Sequence, residues 1–252
     1  MEMWERGPFF DLDAEEVEKD HKFMYQQSNK LNIIFGRMKV PKPAQVAQQH
    51  VNQPLIDFKV YLPIIRALTN PGLKKRHWKM IGTVIEMPIN RKMDKKLWEL
   101  KQINIEKYKD KLEEIADSAS KEYSNETILK NMKEAWQDVE FRTKDWKGGS
   151  YIPEGEAIEE IQTLLDDHIV KTQTMKGSPY AKPFEQEISE WERALLNTQE
   201  NLDVWLKVQG VWLYLEPVFS SDDILKQMPV EGRTFKEVDR SWRNLMARIN
   251  AN

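Results

Sequence analysis

Apolar residues recur along most of this chain at the spacing of three to four that places them on one side of a helix. Asp13 opens the first such stretch, where its carboxylate can accept from the free amides of a first turn and Glu16 completes a pair resembling a capping box. Val17, Met24, Leu31 and Met38 follow at intervals of seven, with Gln27 and Ile34 on the same side, which predicts an amphipathic helix facing a partner helix. Val40-Pro41-Lys42-Pro43 ends it. Residues 51–68 carry Pro54 and Pro63 and read as two short helices or one kinked one. Asn70-Pro71-Gly72 marks a turn before a helix over 73–85, with Leu73, His77, Met80, Ile81 and Val84 on one face. A long, charged, partly exposed helix is expected over 93–123, its apolar side formed by Leu97, Leu100, Tyr108, Leu112, Ile115 and Ala119. A shorter one follows from Asn125, with Ile128, Met132, Ala135 and Trp136 sharing a face.

The period then changes. Val139, Phe141 and Thr143 alternate with Glu140, Arg142 and Lys144, Lys147-Gly148-Gly149-Ser150 forms a turn, and Tyr151-Ile152 returns before Pro153, so one β-hairpin is expected near residues 139–153. Gly155 begins a helix with a face of Ile158, Ile161, Leu164, Leu165, His168, Ile169 and Met175, stopped at Gly177-Ser178-Pro179. The strongest periodic signal lies over 184–219, where Trp191, Thr198, Trp205, Trp212 and Phe219 are spaced by seven and flanked by Ile188, Leu195 and Leu202. Gly210 and Pro217 are its weak points, with a bend or an end expected near either and a stop at about Pro217. Ser221-Asp222-Asp223 caps a short helix ending at Met228-Pro229, and Thr234 with Glu237 reads as the capping box of the last helix. That helix carries Phe235, Val238, Trp242, Leu245, Met246 and Ile249 to Asn252 without a closing Gly, Pro or basic cap, so its apolar face is expected to need a partner from a longer protein.

The fold class predicted is mainly α, an elongated stack of helical bundles with one small hairpin, divided into subdomains over 1–123 and 124–252. Nine Trp against ten Gly favour long helices packed through bulky aromatic rings, with few tight turns. The 38 Lys and Arg against 41 Asp and Glu leave a net charge of −3, which provides no global field to hold a polyanion and argues against nucleic acid as a partner. With no Cys, disulfides, thiolate nucleophiles and zinc thiolate sites are excluded. The longest uncharged apolar stretch, 208–215, is far short of the roughly 18 residues a membrane span needs.

A nucleotide-binding Gly-x4-Gly-Lys-Ser/Thr loop is missing, and Gly148, Gly149 and Gly155 serve the hairpin instead. His21, His50, His77 and His168 have no spacing that sets two imidazoles on one helical face, so no metal site is expected, and His77 and His168 read as packing residues. Asp166-Asp167 and Asp222-Asp223 point apart on helices, and Asp11-x-Asp13-x-Glu15 lacks the Gly and terminal Glu of a calcium loop. Lys74-Lys75-Arg76 and Arg91-Lys92 with Lys95-Lys96 read as solvated helix faces or protein contacts. No catalytic, cofactor or metal residue is expected. The residues singled out are a structural spine of Trp191, Trp205, Trp212 and Phe219, read as core rather than as a stacking surface for a ligand.

The stretch Trp205-Leu-Lys-Val-Gln-Gly-Val-Trp-Leu-Tyr-Leu-Glu-Pro-Val-Phe219-Ser-Ser-Asp-Asp-Ile224 resembles the linker region of dynein heavy chains. Gln227-Met-Pro-Val-Glu-Gly232, then Phe235, Asp239, Trp242-Arg243 and Met246, fit the same pattern, as do Arg76-His77-Trp78, Leu164-Leu-Asp-Asp-His168, Ser178-Pro-Tyr180 and Pro8-Phe-Phe-Asp-Leu-Asp13. Gly210, Pro217 and Ser220-Ser221 are similar to the axonemal rather than the cytoplasmic type. The resemblance covers nearly the whole chain. It implies the N-terminal portion of the linker, a mechanical element lying across a ring of six AAA+ modules and bending as the ring binds and hydrolyses ATP with Mg. It implies the ring of the same heavy chain as partner, accessory dynein chains as a second class of partner, and microtubules only through a stalk outside this sequence. It further implies cytoplasmic, cytoskeletal localisation, in the axoneme of a cilium or flagellum for the axonemal type. ATPase activity belongs to the parent chain and not to this portion. The alternative is a non-catalytic scaffold whose exposed face binds accessory chains.

Overall fold

The structure, a computed structural model, describes residues 2–38 and 41–251. It is mainly α-helical with one two-stranded antiparallel sheet, the class predicted. Two compact units divide it, Met1–Ser124 and Asn125–Asn252.

In the first unit, a short helix α1 (Glu2–Arg6) and a 3-10 turn (Phe9–Asp11) lead into α2 (Ala14–Arg37). Asp13 caps α2 as its sequence position predicts, its Oδ1 accepting from the backbone N–H of Glu15 at 2.9 Å and of Glu16 at 3.2 Å. Helix α3 (Lys42–Phe58) returns against α2. The predicted stripe on α2 faces the core only in its first half. Val17 is buried and Met24 partly so, whereas Leu31, Ile34 and Met38 are exposed. A strict repeat of seven drifts by about 20° per heptad on a straight helix, so the stripe rotates off the partner. The distal contact is polar instead: Ser28 Oγ donates to Asn52 Oδ1 at 2.9 Å and Gln48 Nε2 to the Ser28 carbonyl at 3.0 Å. Val40, in the expected stop, lies outside the described residues.

The segment expected to kink over 51–68 is two helices, but the first begins earlier, at Lys42, and carries Pro54 within it. A 3-10 turn (Lys59–Tyr61) leads into α4 (Leu62–Leu68), where Pro63 occupies the first turn and its missing N–H removes no helical bond. Helix α5 (Lys75–Val84) buries His77, Trp78 and Ile81 but leaves Met80 exposed. The long helix expected over 93–123 is broken. Helix α6 (Leu97–Gln102) ends before Asn104, whose left-handed φ of 54° stops propagation, and a 3-10 turn (Ile105–Tyr108) precedes α7 (Lys109–Ala135). No second helix starts at Asn125. α7 continues through it, and its buried positions there are Leu129 and Met132, with Ile128 and Ala135 exposed.

The second unit contains β1 (Thr143–Trp146) and β2 (Ser150–Pro153), registered Thr143 to Pro153 and Trp146 to Ser150. Residues 139–142 are outside the ladder, and Val139 and Phe141 pack instead against the core of the following helices. Gly148 and Gly149 hold φ of 66° and 70°, the left-handed values a tight hairpin turn requires. α8 (Gly155–Lys176) buries Ile158, Ile161, Leu165, His168, Ile169 and Met175, the predicted face apart from half-buried Leu164. α9 (Glu185–Phe219) runs 35 residues, passing Gly210 without a break and ending two residues after Pro217, close to the expected stop. At 1.5 Å per residue its length is about 52 Å.

α10 (Asp222–Gln227) is followed by α11 (Pro229–Asn250). The capping box expected at Thr234 and Glu237 does not exist. α11 begins five residues before Thr234, with Pro229 pre-set for a first helical position, and Thr234 Oγ1 donates to the Val230 carbonyl inside the helix. Nor does the main apolar face of α11 lack a partner, since Trp242 and Met246 are buried against α9 and β2.

Candidate functional site

The aromatic residues of α9 fall on two seams. Along its N-terminal half, Ile188, Leu195 and Leu202 are buried, Leu195 and Leu202 packing with Ile158, Ile161, Leu165 and Ile169 of α8. Trp191 is half-buried where this core meets the one containing Leu129 and Met132, and the Lys133 ammonium lies 5.9 Å from its ring centroid. Thr198, at the same heptad position, is exposed and bonds back to the Ala194 carbonyl.

Along the C-terminal half, α9 packs against α11 and the hairpin through rings. Trp205 is tilted against Phe141 at 4.8 Å and edge-on to Trp242 at 6.3 Å, Trp212 stacks on Trp242 at 5.5 Å, and Phe219 stacks on Phe235 at 5.1 Å. Of the four residues singled out from the sequence, Trp212 is buried to 1% exposure while Trp191, Trp205 and Phe219 are half-buried. Trp205, Trp212 and Phe219 share one seam, and Trp191 belongs to the other.

A polar clamp closes the second seam. Trp212 Nε1 donates to Asp239 Oδ1 at 3.0 Å, and Arg243 Nε donates to both oxygens of that carboxylate at 2.9 Å. The Arg243 guanidinium lies 5.5 Å over the Trp212 ring, and its Nη1 donates to the Lys147 carbonyl in the hairpin turn. One arginine thereby ties α9, α11 and the hairpin together. In the sequence, Asp239 and Arg243 stand out only through the family resemblance. Their spacing of four beside Trp242 was the available signal, because it places a carboxylate and a guanidinium on one helix face.

Two buried histidines have their Nδ1 atoms used as acceptors. His168 Nδ1 accepts from Trp136 Nε1 at 2.9 Å, and His77 Nδ1 from the Lys74 backbone N–H at 3.1 Å. Burial lowers both pKa values below 6.5. For His77 the Glu122 charge opposes the shift and Arg76 adds to it, whereas for His168 Asp167 opposes and Lys171 adds. Glu122 Oε2 lies 3.0 Å from His77 Nε2 and also accepts from both Nε and Nη2 of Arg76. Among the basic clusters noted in the sequence, Arg76 makes this pair and Lys95 binds Glu99.

The residues do not fit a nucleotide. Gly148 and Gly149 close a hairpin, while Gly155 opens α8 behind the acidic Glu154 with no Lys-Ser/Thr after it. Among the described residues no group of three or more His, Cys, Asp or Glu is placed to hold a metal ion, and no helix is long and apolar enough to cross a membrane.

These features define a helical structural module, organised around packed rings and a charge clamp. The chain belongs to the family Dynein heavy chain, N-terminal region 2, which it matches over residues 1–252. It is 43% identical to Dynein axonemal heavy chain 3 of Homo sapiens over 249 residues, covering 98% of this chain and 6% of that one. It is 37% identical to Dynein axonemal heavy chain 1 of Mus musculus over 246 residues, covering 97% and 6%. It is 36% identical to Dynein axonemal heavy chain 12 of Homo sapiens over 246 residues, covering 96% and 8%. The chain thus spans less than a tenth of the length of these curated relatives.

Proposed function

We propose that this region is a force-transmitting linker segment of an axonemal dynein motor, a lever that bends and straightens over the AAA+ ring of its own heavy chain during the ATP cycle. In this reading it catalyses nothing itself, ATP and Mg act in the ring, and microtubules are engaged elsewhere in the heavy chain. It works in the axoneme of a cilium or flagellum, as the axonemal naming of its relatives suggests.

The observation that carries the reading is α9. A lever must resist bending, and α9 is an uninterrupted helix of 35 residues gripped along one half by α8 and along the other by α11 and the hairpin. Interlocked rings resist sliding because close-packed interiors leave no free volume to shear into.

The test uses the motor with its full heavy chain, carrying Trp205→Ala together with Trp242→Ala. ATP turnover should persist while microtubule gliding velocity and stall force fall. Unchanged gliding and stall force, with the seam shown to be destabilised by melting, would overturn the lever. Loss of accessory chains from the purified motor with gliding intact would instead support a scaffold face.

A further inference from the structure

Helices α9 and α11 run antiparallel, as the pairs Phe219–Phe235 and Trp212–Trp242 require, and between them lies an open groove of about 590 Å³. Val208, Val211 and Leu215 line it from α9 and Val230 and Val238 from α11, above buried Trp212. These valines are exposed, from 44% for Val208 to 59% for Val230. On α9, Val204, Val208, Val211, Leu215 and Val218 repeat at spacings of four and three, an a/d seam on the outside of a helix whose inner seam is already filled.

The charges at its rim give the groove a direction. Lys207 lies at one end, and Glu231, beyond the Phe219–Phe235 pair, at the other. Both are exposed, and among the described residues neither forms an ion pair. From Lys207 to Phe219 the groove extends for about 18 Å, the length of three to four helical turns. A helix with acidic residues in its first turn and basic residues in its last, the distribution its own dipole favours, meets Lys207 with its acidic end and Glu231 with its basic end.

We infer that the α9–α11 groove is a docking site for an amphipathic partner helix with an apolar face spaced i, i+3, i+4, i+7, seated parallel to α9 with its acidic N-terminal turn at Lys207 and its basic C-terminal turn at Glu231. The seated helix would complete a three-helix bundle and cover the outer valine seam. The site asks nothing of the lever reading and stands or falls separately from it.

The test is fluorescence anisotropy on this chain with a labelled peptide of about 18 residues carrying Leu on one face, two Glu in its first turn and two Lys in its last. A second peptide has those charges exchanged. The first should bind about tenfold tighter than the second, and the Lys207→Glu, Glu231→Lys double variant should reverse that preference. Val211→Asp, at an exposed position and therefore compatible with folding by circular dichroism, should weaken the first peptide at least about tenfold. Equal binding of both peptides, no loss with Val211→Asp, or no binding at all would overturn the proposal. So would sedimentation showing that the groove is filled by a second copy of this chain.

Discussion

The indole N–H of Trp212 donates to Asp239 Oδ1 at 3.0 Å, and the same carboxylate accepts twice from Arg243. Trp205, at the same heptad position one repeat earlier, has a buried N–H with no acceptor among the described residues. Two tryptophans of one stripe therefore depend on different physics, the first on packing plus a charge-assisted hydrogen bond, the second on packing against a standing desolvation cost.

Trp212→Phe should accordingly destabilise the chain by about 1–2 kcal/mol more than Trp205→Phe, because only the former loses a bond to a carboxylate. Replacement of Trp212 by Ala should cost about 3–5 kcal/mol, from lost burial and the cavity left behind. Guanidinium unfolding of the variants in parallel checks both, and equal losses for the two Phe variants would refute the distinction.

Much of this half of the fold was legible. The faces of α8 and α9 are readable because large apolar residues repeat where both neighbours are helices, and the hairpin is readable because two glycines punctuate an alternating run. What failed was local. Asn104 is of a type that tolerates a left-handed φ, but one Asn within a charged run also fits a helix interior, so α6 and α7 merged into one expected helix. Ser124 and Asn125, read as the gap between two helices, propagate as ordinary helical residues, although the two compact units divide there. Thr234 and Glu237 match a capping pattern, but Pro229 had already begun the helix. In the seam the rings were legible and so was the i,i+4 pairing of Asp239 with Arg243, but the bond of Asp239 to Trp212 was not, since it spans 27 residues and no local pattern encodes that distance.

Glycine substitutions should separate close approach from open space. A Cβ on Gly72 would lie 2.7 Å from the Ala119 carbonyl oxygen and 3.0 Å from Tyr123 Cβ, forcing the turn off α7. Gly72→Ala should therefore cost about 1–3 kcal/mol. A Cβ on Gly210 meets nothing within 4 Å, and the position is helical. Gly210→Ala should raise stability by about 0.5–1 kcal/mol, by restricting the unfolded chain and favouring helix. Thermal melting with opposite signs for the two variants is the expected outcome.

Backbone strain offers a second contrast. Glu86 and Asn104 hold φ of 55° and 54°. A left-handed conformation costs a residue with a Cβ about 1–2 kcal/mol and Asn less, so Glu86→Gly should stabilise, and Asn104→Ala should destabilise by about 1 kcal/mol. Loss of stability in Glu86→Gly would show that the side chain contributes more than its backbone costs.

The last prediction concerns pH. His168 accepts the Trp136 N–H on Nδ1, so its proton sits on Nε2, and protonating Nδ1 would destroy that bond within a buried site. Burial accordingly lowers its pKa below 6.5, with Asp167 opposing and Lys171 reinforcing the shift, and His77 behaves likewise between Glu122 and Arg76. A histidine held neutral when folded but free to charge when unfolded binds fewer protons in the native state. Its contribution is fully present above the unfolded pKa of 6.5 and is lost as the pH falls below it toward the lower folded value. The melting temperature should therefore fall from about pH 7 to about pH 5.5, above the range in which ordinary carboxylates titrate. His168→Gln, whose amide oxygen can still accept the Trp136 N–H, should flatten that slope while leaving part of it to His77. Identical slopes in native chain and variant would show that His168 is not held neutral.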